Sequence, residues 1–348
     1  MNIKLAKRTI GNNSPCYIIA EAGVNHNGDL SKALALVDIA AEAQVDAIKF
    51  QTYKTEELVD TLAPMAPYQK KNTCLEQTQY ELLKALELTH DNYIELQRYC
   101  QSLGITFIST PFDIPSVDFL EKINIPFYKI PSGELTNHPF LQYIACKDKS
   151  IIMSTGMADL TEIELAVKAI LSTGNKKIIL LHCVSSYPAD PKDVNLKSIQ
   201  QLSSYFNLPV GFSDHTLGIN VALAAVALGA CVIEKHFTLD KTLPGPDHQA
   251  SLEPDALKAL VKGIREIEVA MGNSNKKPSI SEIKIAKLVR KSIITKVDIK
   301  KETIITEEML SAKRPGTGIS PSEICKVINK AANIDIEKGT FLSWEMFN

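Results

Sequence analysis

"LPVGFSDHTLGINVALAAVALGACVIEKHF", residues 208–237, reads as one complete strand–helix–strand unit. The apolar runs 210–214 and 232–237 have the length and composition of buried strands, and the alanine-rich stretch between them reads as a helix. Both runs turn polar at the same end. The first runs out into Ser213, Asp214 and His215, and the second reaches His236. A crossover helix makes its two strands parallel, so their polar ends fall on the same edge of one sheet.

The pattern repeats along the chain. Strands are expected at 17–23, 47–52, 106–110, 127–130, 151–155 and 178–183, in addition to the two quoted. Each is followed by an amphipathic helical run, and Asp29 and Asp159 stand where helix caps belong. Eight such units predict an α/β fold, a (β/α)8 TIM barrel. An open doubly wound sheet is the alternative, but no G-x-G-x-x-G follows the first strand. The other strands also end in chemistry. They deliver Glu21, then Lys49 and Gln51, Ser109 and Thr110, Lys129 with Ser132 and Glu134, Ser154, and His182 with Ser185 and Tyr187. In a barrel these ends converge on one face, where active sites lie.

The chain has 348 residues, 45% of them hydrophobic and 22% charged, which is ample for a large core. A formal net charge of −2 gives no basic field for nucleic acid. The seven cysteines are scattered and form no C-x-x-C pair, which suits free thiols in a reducing cytoplasm. No signal-type segment and no membrane-length apolar run is visible. The barrel is expected over 1–275, a linker over 276–285, and a small β-rich domain over 286–348. That domain contains a repeat, "VDIKKETIIT" and "IDIEKGTFLS", which suggests a pseudo-symmetric fold. The stretch 53–88 is too long for a plain connection and reads as an active-site lid.

His215 and His236 lie on neighbouring strands and could share one ion. Two imidazoles without a thiolate suit an open site for Mn²⁺ or Mg²⁺ better than a structural zinc. His182 could be a third ligand, with a structural role preferred, and His26 reads as turn chemistry. Lys49 and Lys129, among Ser109, Thr110, Ser132, Ser154 and Ser213, describe a pocket for a small phosphorylated anion. A strand-end lysine could instead form a Schiff base.

"EAGVNHNG", "KFQT", "FISTPFD", "YKIPSGE", "STGM", "LHCVSSYP", "GFSDHT", "EKHFTLD", "PGPDH" and "KRPGTGIS" occur in this order. As a set they resemble the sialic acid synthases over nearly the whole chain. The resemblance implies a TIM barrel with a C-terminal antifreeze-like (SAF) domain. It implies condensation of phosphoenolpyruvate with an N-acetylated mannosamine-type sugar, giving a nine-carbon 2-keto acid and phosphate. It places the metal on His215 and His236, and phosphoenolpyruvate on Lys49, Thr110, Lys129, Ser132, Ser154, Ser185 and Ser213. Some relatives have asparagine where Ser185 stands. Gln51, Asn72, Tyr187, Asp247 and Arg314 would face the sugar. A domain-swapped homodimer is implied, with Arg314 acting on the partner's site.

Glu134 is the first candidate to manage the proton of the attacking water, and Glu21 the second. The sugar is either N-acetylmannosamine or its 2,4-diacetamido-2,4,6-trideoxy relative, giving N-acetylneuraminate or N,N'-diacetyllegionaminate. Pseudaminate synthesis, a Schiff-base sugar-acid lyase and a non-catalytic sugar-phosphate binding protein are the alternatives.

Overall fold

The computed structural model describes residues 2–11, 14–73 and 76–347. The chain divides after Gly272 into two compact units.

The first unit opens with a hairpin, β1 (Ile3–Leu5) and β2 (Arg8–Ile10), whose strands pair antiparallel. Three-residue strands carry too little periodicity for the sequence to announce them. The barrel strands follow: β3 (Tyr17–Gly23), β4 (Ala47–Thr52), β5 (Thr106–Pro111), β6 (Phe127–Ile130), β7 (Ser150–Ser154), β8 (Ile178–Cys183), β9 (Val210–Asp214) and β10 (Val232–His236). The ladder runs β5-β4-β3-β10-β9-β8-β7-β6, and β5 and β6 come alongside each other to close the ring. Every barrel pairing is parallel. The expected (β/α)8 barrel is therefore the fold.

Side chains alternate across each strand, and that alternation builds the barrel interior in layers. Tyr17, Ile19, Ile108, Phe127, Ile152 and Ile179 fill the lower interior, joined by Ile3, Leu5 and Ile10 of the hairpin. The hairpin thus plugs the bottom. The outward-facing set, including Ile18, Ile48, Tyr128, Ile151, Leu180 and Phe212, meets the helices in the main core. Helix starts follow the caps. Asp29 accepts from the backbone N–H groups of Ser31 and Lys32, and Asp159 forms a capping box with Glu162.

The insertion after β4 holds three short helices, Thr55–Leu58, Pro67–Thr73 and Gln79–Leu86. It has a small core of its own in which Leu82 and Leu86 meet Val24 and Tyr53. Cys74, within it, lies outside the described residues, and the six described cysteines carry free thiols.

In the second unit a helix, Ile280–Val289, begins inside the stretch read as linker, because Ser279 and Glu282 form a capping box. β11 (Ser292–Thr295) and β12 (Leu310–Lys313) pair antiparallel. The sequence repeat has a physical counterpart. Ile299 and Ile336, equivalent positions, exchange both backbone hydrogen bonds at 2.8 Å. Asp298 accepts from Lys338 N at 2.7 Å, and its equivalent Asp335 accepts from Lys301 N at 2.8 Å. The two copies are pinned to each other by the same contact made twice.

Candidate active site

Above the apolar layers the barrel interior changes character. The next inward position on each strand supplies Glu21, Lys49, Thr110, Lys129, Ser154, Cys183, Ser213 and Glu234, all buried or lining one cavity of about 550 Å³. Lys49 Nζ lies 2.8 Å from Glu21 Oε2 and 3.7 Å from Glu234 Oε2, and donates to Thr110 Oγ1 at 3.1 Å. Lys129 Nζ donates to Ser154 Oγ at 2.7 Å and lies 3.6 Å from Glu234 Oε1. Ser213 Oγ donates to Glu234 Oε1 at 2.9 Å. Two lysines and two carboxylates thus stand together out of water, where each charge depends on the others.

That dependence separates the two carboxylates. Burial, with the Glu234 charge beside it, pushes Glu21 up to about 7 against the Lys49 charge and the hydrogen bonds from Lys49 and Gln51. Burial acts on Glu234 as well, but Lys129 and Lys49 together outweigh it and hold Glu234 below the usual range. The two carboxylates are thus pushed in opposite directions, and Glu21 is the one more ready to carry a proton. Burial lowers Lys129, whereas Glu21 and Glu234 overcome burial at Lys49 and raise it.

Glu234 was not among the residues singled out in the sequence. The available signal was parity: it stands two residues before His236 on one strand and so shares its face.

His215 and His236 meet at one wall, with ring centroids 5.5 Å apart. His215 Nδ1 faces the Val184 carbonyl oxygen at 2.7 Å and must donate to it, which leaves Nε2 with a lone pair. Nδ1 of His236 is buried with no hydrogen-bond partner, and the Asp247 carboxylate lies 3.9 Å away. Burial lowers His215 to about 4 and His236 well below the usual value, so both are neutral at pH 7. Burial also raises Asp247 to about 6. The Tyr187 ring packs on His215 at 4.2 Å and on Tyr68 of the insertion at 5.0 Å.

The hydroxyl side is closely fitted. Gly156 N donates to Ser132 Oγ at 3.0 Å. A Cβ at Gly156 would stand 2.3 Å from Ser185 Oγ, 2.7 Å from Ser132 Oγ and 2.8 Å from Cys183 Sγ. Gln51 donates to Glu21 Oε1 at 3.2 Å. The insertion closes the remaining side with Leu58, Val59, Pro67, Tyr68, Leu82 and Leu83.

Other candidates stand elsewhere. Glu134 accepts from Asn137 Nδ2 at 2.8 Å and is not among the described cavity-lining residues. Asn72 Nδ2 donates to the Pro246 carbonyl oxygen at 2.6 Å. Ser109 faces away from the cavity and pairs with Thr52 at 2.6 Å. His182 also points outward, with Nε2 2.5 Å from Val194 O and its ring stacked on Phe212. His26 Nδ1 accepts from Gly28 N at 3.0 Å, which is turn chemistry. Arg314 belongs to the second unit.

A barrel with this cavity, joined to a small β-rich domain, defines a class, and comparison with known proteins gives it a name. The NeuB family model matches residues 36–276 and the SAF domain model residues 290–348. The chain belongs to the NeuB family of sialic acid synthases. It is 50% identical over 339 residues to an N,N'-diacetyllegionaminic acid synthase of Legionella pneumophila, covering 96% of this chain and 95% of that one. The N-acetylneuraminate-9-phosphate synthase of Homo sapiens is 38% identical, with 97% of this chain and 94% of that one covered. The crystal structure of an N-acetylneuraminic acid synthetase from Leptospira borgpetersenii superposes with a TM-score of 0.73 at 39% identity, covering 82% of this chain and 95% of that one.

Proposed function

We propose that this chain condenses phosphoenolpyruvate with 2,4-diacetamido-2,4,6-trideoxymannose, releasing phosphate and forming N,N'-diacetyllegionaminate. The observation that carries the reading is the pairing, in one cavity, of a buried lysine–hydroxyl floor with two neutral imidazoles whose nitrogens are open. Lys49 and Lys129 hold the phosphate and carboxylate, with Thr110, Ser132, Ser154, Ser185 and Ser213 as neutral donors. Gln51, Tyr187 and Asp247, which line the cavity, are assigned to the sugar, and Asn72 stands behind them, bonded to the carbonyl oxygen of the lining residue Pro246.

The donor set fits a divalent cation. Ser213 Oγ lies 3.5 Å from His215 Nε2 but gives its proton to Glu234, so that nitrogen keeps its lone pair, and His236 Nδ1 is buried without a partner. His215 and His236 would hold it; no third His, Cys, Asp or Glu among the described residues joins them, so the remaining positions would fall to oxygen ligands. Bound there, Mn²⁺ or Mg²⁺ supplies Lewis acidity to the sugar aldehyde.

The chain's own residues do the rest. The lysines seat the enol phosphate so that its C3 faces the aldehyde carbon. As the C–C bond forms, positive charge grows at C2, and the Glu234 carboxylate stabilises it. Glu21 takes one proton of the water that adds to C2 and passes it to the former aldehyde oxygen, which becomes a hydroxyl; the C2–O bond to phosphate then breaks, and the C2 hydroxyl gives its proton to the departing phosphate as the ketone forms. Glu134, assigned that proton from the sequence, is the alternative base if its loop turns inward on binding.

The apolar wall of the insertion favours the 6-deoxy sugar, because a C6 methyl and acetamido methyls can lie against Leu58, Pro67 and Leu82. Lys49 and Lys129 are the only cations among the described lining residues, and both sit at the floor. Nothing there would pair with a sugar 6-phosphate. N-acetylmannosamine is the second reading. The chain is also proposed to act in the cytoplasm as a homodimer in which Arg314 of one protomer completes the partner's site.

Phosphate release from phosphoenolpyruvate with Mn²⁺, with each sugar in turn and a chelator control, tests the reading. Chelator-sensitive release with a higher kcat/KM for the trideoxy sugar supports it, and release that survives chelation overturns it.

A further inference from the structure

The "NHN" of residues 25–27 has no place in the chemistry above, yet it is tightly engaged. Asn25 is fully buried, and its Nδ2 donates to the Phe237 carbonyl oxygen at 2.8 Å and to Ser251 Oγ at 2.9 Å. Ser251 Oγ in turn donates to the Asp247 carbonyl oxygen at 2.7 Å. Asn27 Nδ2 donates to the Pro244 carbonyl oxygen at 2.9 Å, and Asn27 Oδ1 lies 3.2 Å from His248 Nε2. His248 Nδ1 lies 2.7 Å from Thr238 Oγ1, which fixes its ring from the other side. Gly245 completes the fit, since a Cβ there would stand 2.6 Å from the His248 ring.

The turn after β3 therefore grips the loop after β10 at Pro244, Asp247 and His248, the segment that presents the Asp247 carboxylate. We infer that Asn25, acting through Ser251, is a positioning residue that holds Asp247 in the cavity. A loop freed of this strap would keep its carboxylate but lose its aim, and misplacement by about 1 Å can cost about 100-fold. The inference rests on the assignment of Asp247 to the sugar.

A double-mutant cycle tests it, using Ser251→Ala, Asp247→Asn and the pair in the full-length enzyme. Ser251→Ala is expected to lower kcat/KM for the sugar by about 10-fold to 100-fold and to leave the KM for phosphoenolpyruvate within about two-fold. On the Asp247→Asn background it should cost less than about two-fold more. Ser251→Thr, which keeps the hydroxyl, should recover most of the activity. If Ser251→Ala costs as much without the Asp247 carboxylate as with it, or weakens both substrates equally, Ser251 is merely structural and the inference falls alone. An Asp247→Asn enzyme with unchanged sugar kinetics overturns the assignment of Asp247, and the inference with it.

Discussion

The ammonium of Lys49 lies 2.8 Å from Oε2 of Glu21, with both side chains almost wholly out of solvent. They are inward neighbours on adjacent strands, in direct register, so the backbone ladder itself imposes the contact. Removing the cation strands Glu21 and leaves Glu234 with Lys129 as its one neighbouring lysine among the described residues. Lys49→Met is therefore expected to lower kcat/KM for phosphoenolpyruvate by about 100-fold. Steady-state kinetics with phosphoenolpyruvate varied at saturating sugar would show it, with a thermal melt reporting whether the variant folds.

Glu21 should also be visible in a pH profile. Its value near 7 means that it sheds its proton in the neutral range, and the ionised form is the one able to accept a proton from water. kcat/KM should rise with pH through about 7, and Glu21→Gln should both lower and flatten the profile. The linkage sign for stability runs the other way. The folded protein holds a proton between about 4.5 and 7 that the unfolded chain has released, so Glu21 contributes less stability as pH rises through that window.

The buried histidines predict an acid limit. His26, His215 and His248 are each lowered by burial to about 4, and burial holds His236 well below the usual imidazole value. Their neutral forms favour the folded state. That stability is fully present above about 6.5 and is lost as pH falls toward 4. Melting temperature in chelator should drop steeply across that range, and His236→Gln should make the drop shallower.

Gly156 has no room for a side chain. Gly156→Ala must push Ser185 and Ser132 aside, because the new methyl would stand within 2.3 Å and 2.7 Å of their hydroxyls. The KM for phosphoenolpyruvate should rise by more than about ten-fold, and the melting temperature should fall by a few degrees.

A mixing experiment tests the proposed sharing of sites. His236→Ala and Arg314→Ala enzymes, each impaired alone, should regain activity when unfolded and refolded together. Some mixed dimers would then hold one intact site. No recovery would mean that Arg314 serves its own chain or neither.

The barrel was legible because each strand repeats one rule, apolar along its length and polar at its C-terminal end. Period-two alternation then explains the inward chemistry of Lys49, Lys129 and Ser213. The same rule excludes His182 and Ser109, one position out of phase, although their residue types suited the site. Glu234 was passed over because it sits inside an apolar run rather than at its end. The first hairpin was too short to show a period. The straps on residues 244–248 join positions more than two hundred apart in sequence, as Asn25 does to Ser251, and no local pattern announces such contacts.

The hairpin that plugs the barrel floor closes the interior beneath the cavity, so nothing reaches Lys49 and Lys129 from below. Whatever seats on Lys49 and Lys129 must pass the insertion and the histidine wall to get there. A sugar bound above would bar its path. If the substrates seat as proposed, the order of addition is a matter of traffic: the small anion is expected to enter first and the sugar to follow, with the nine-carbon product leaving before the phosphate behind it.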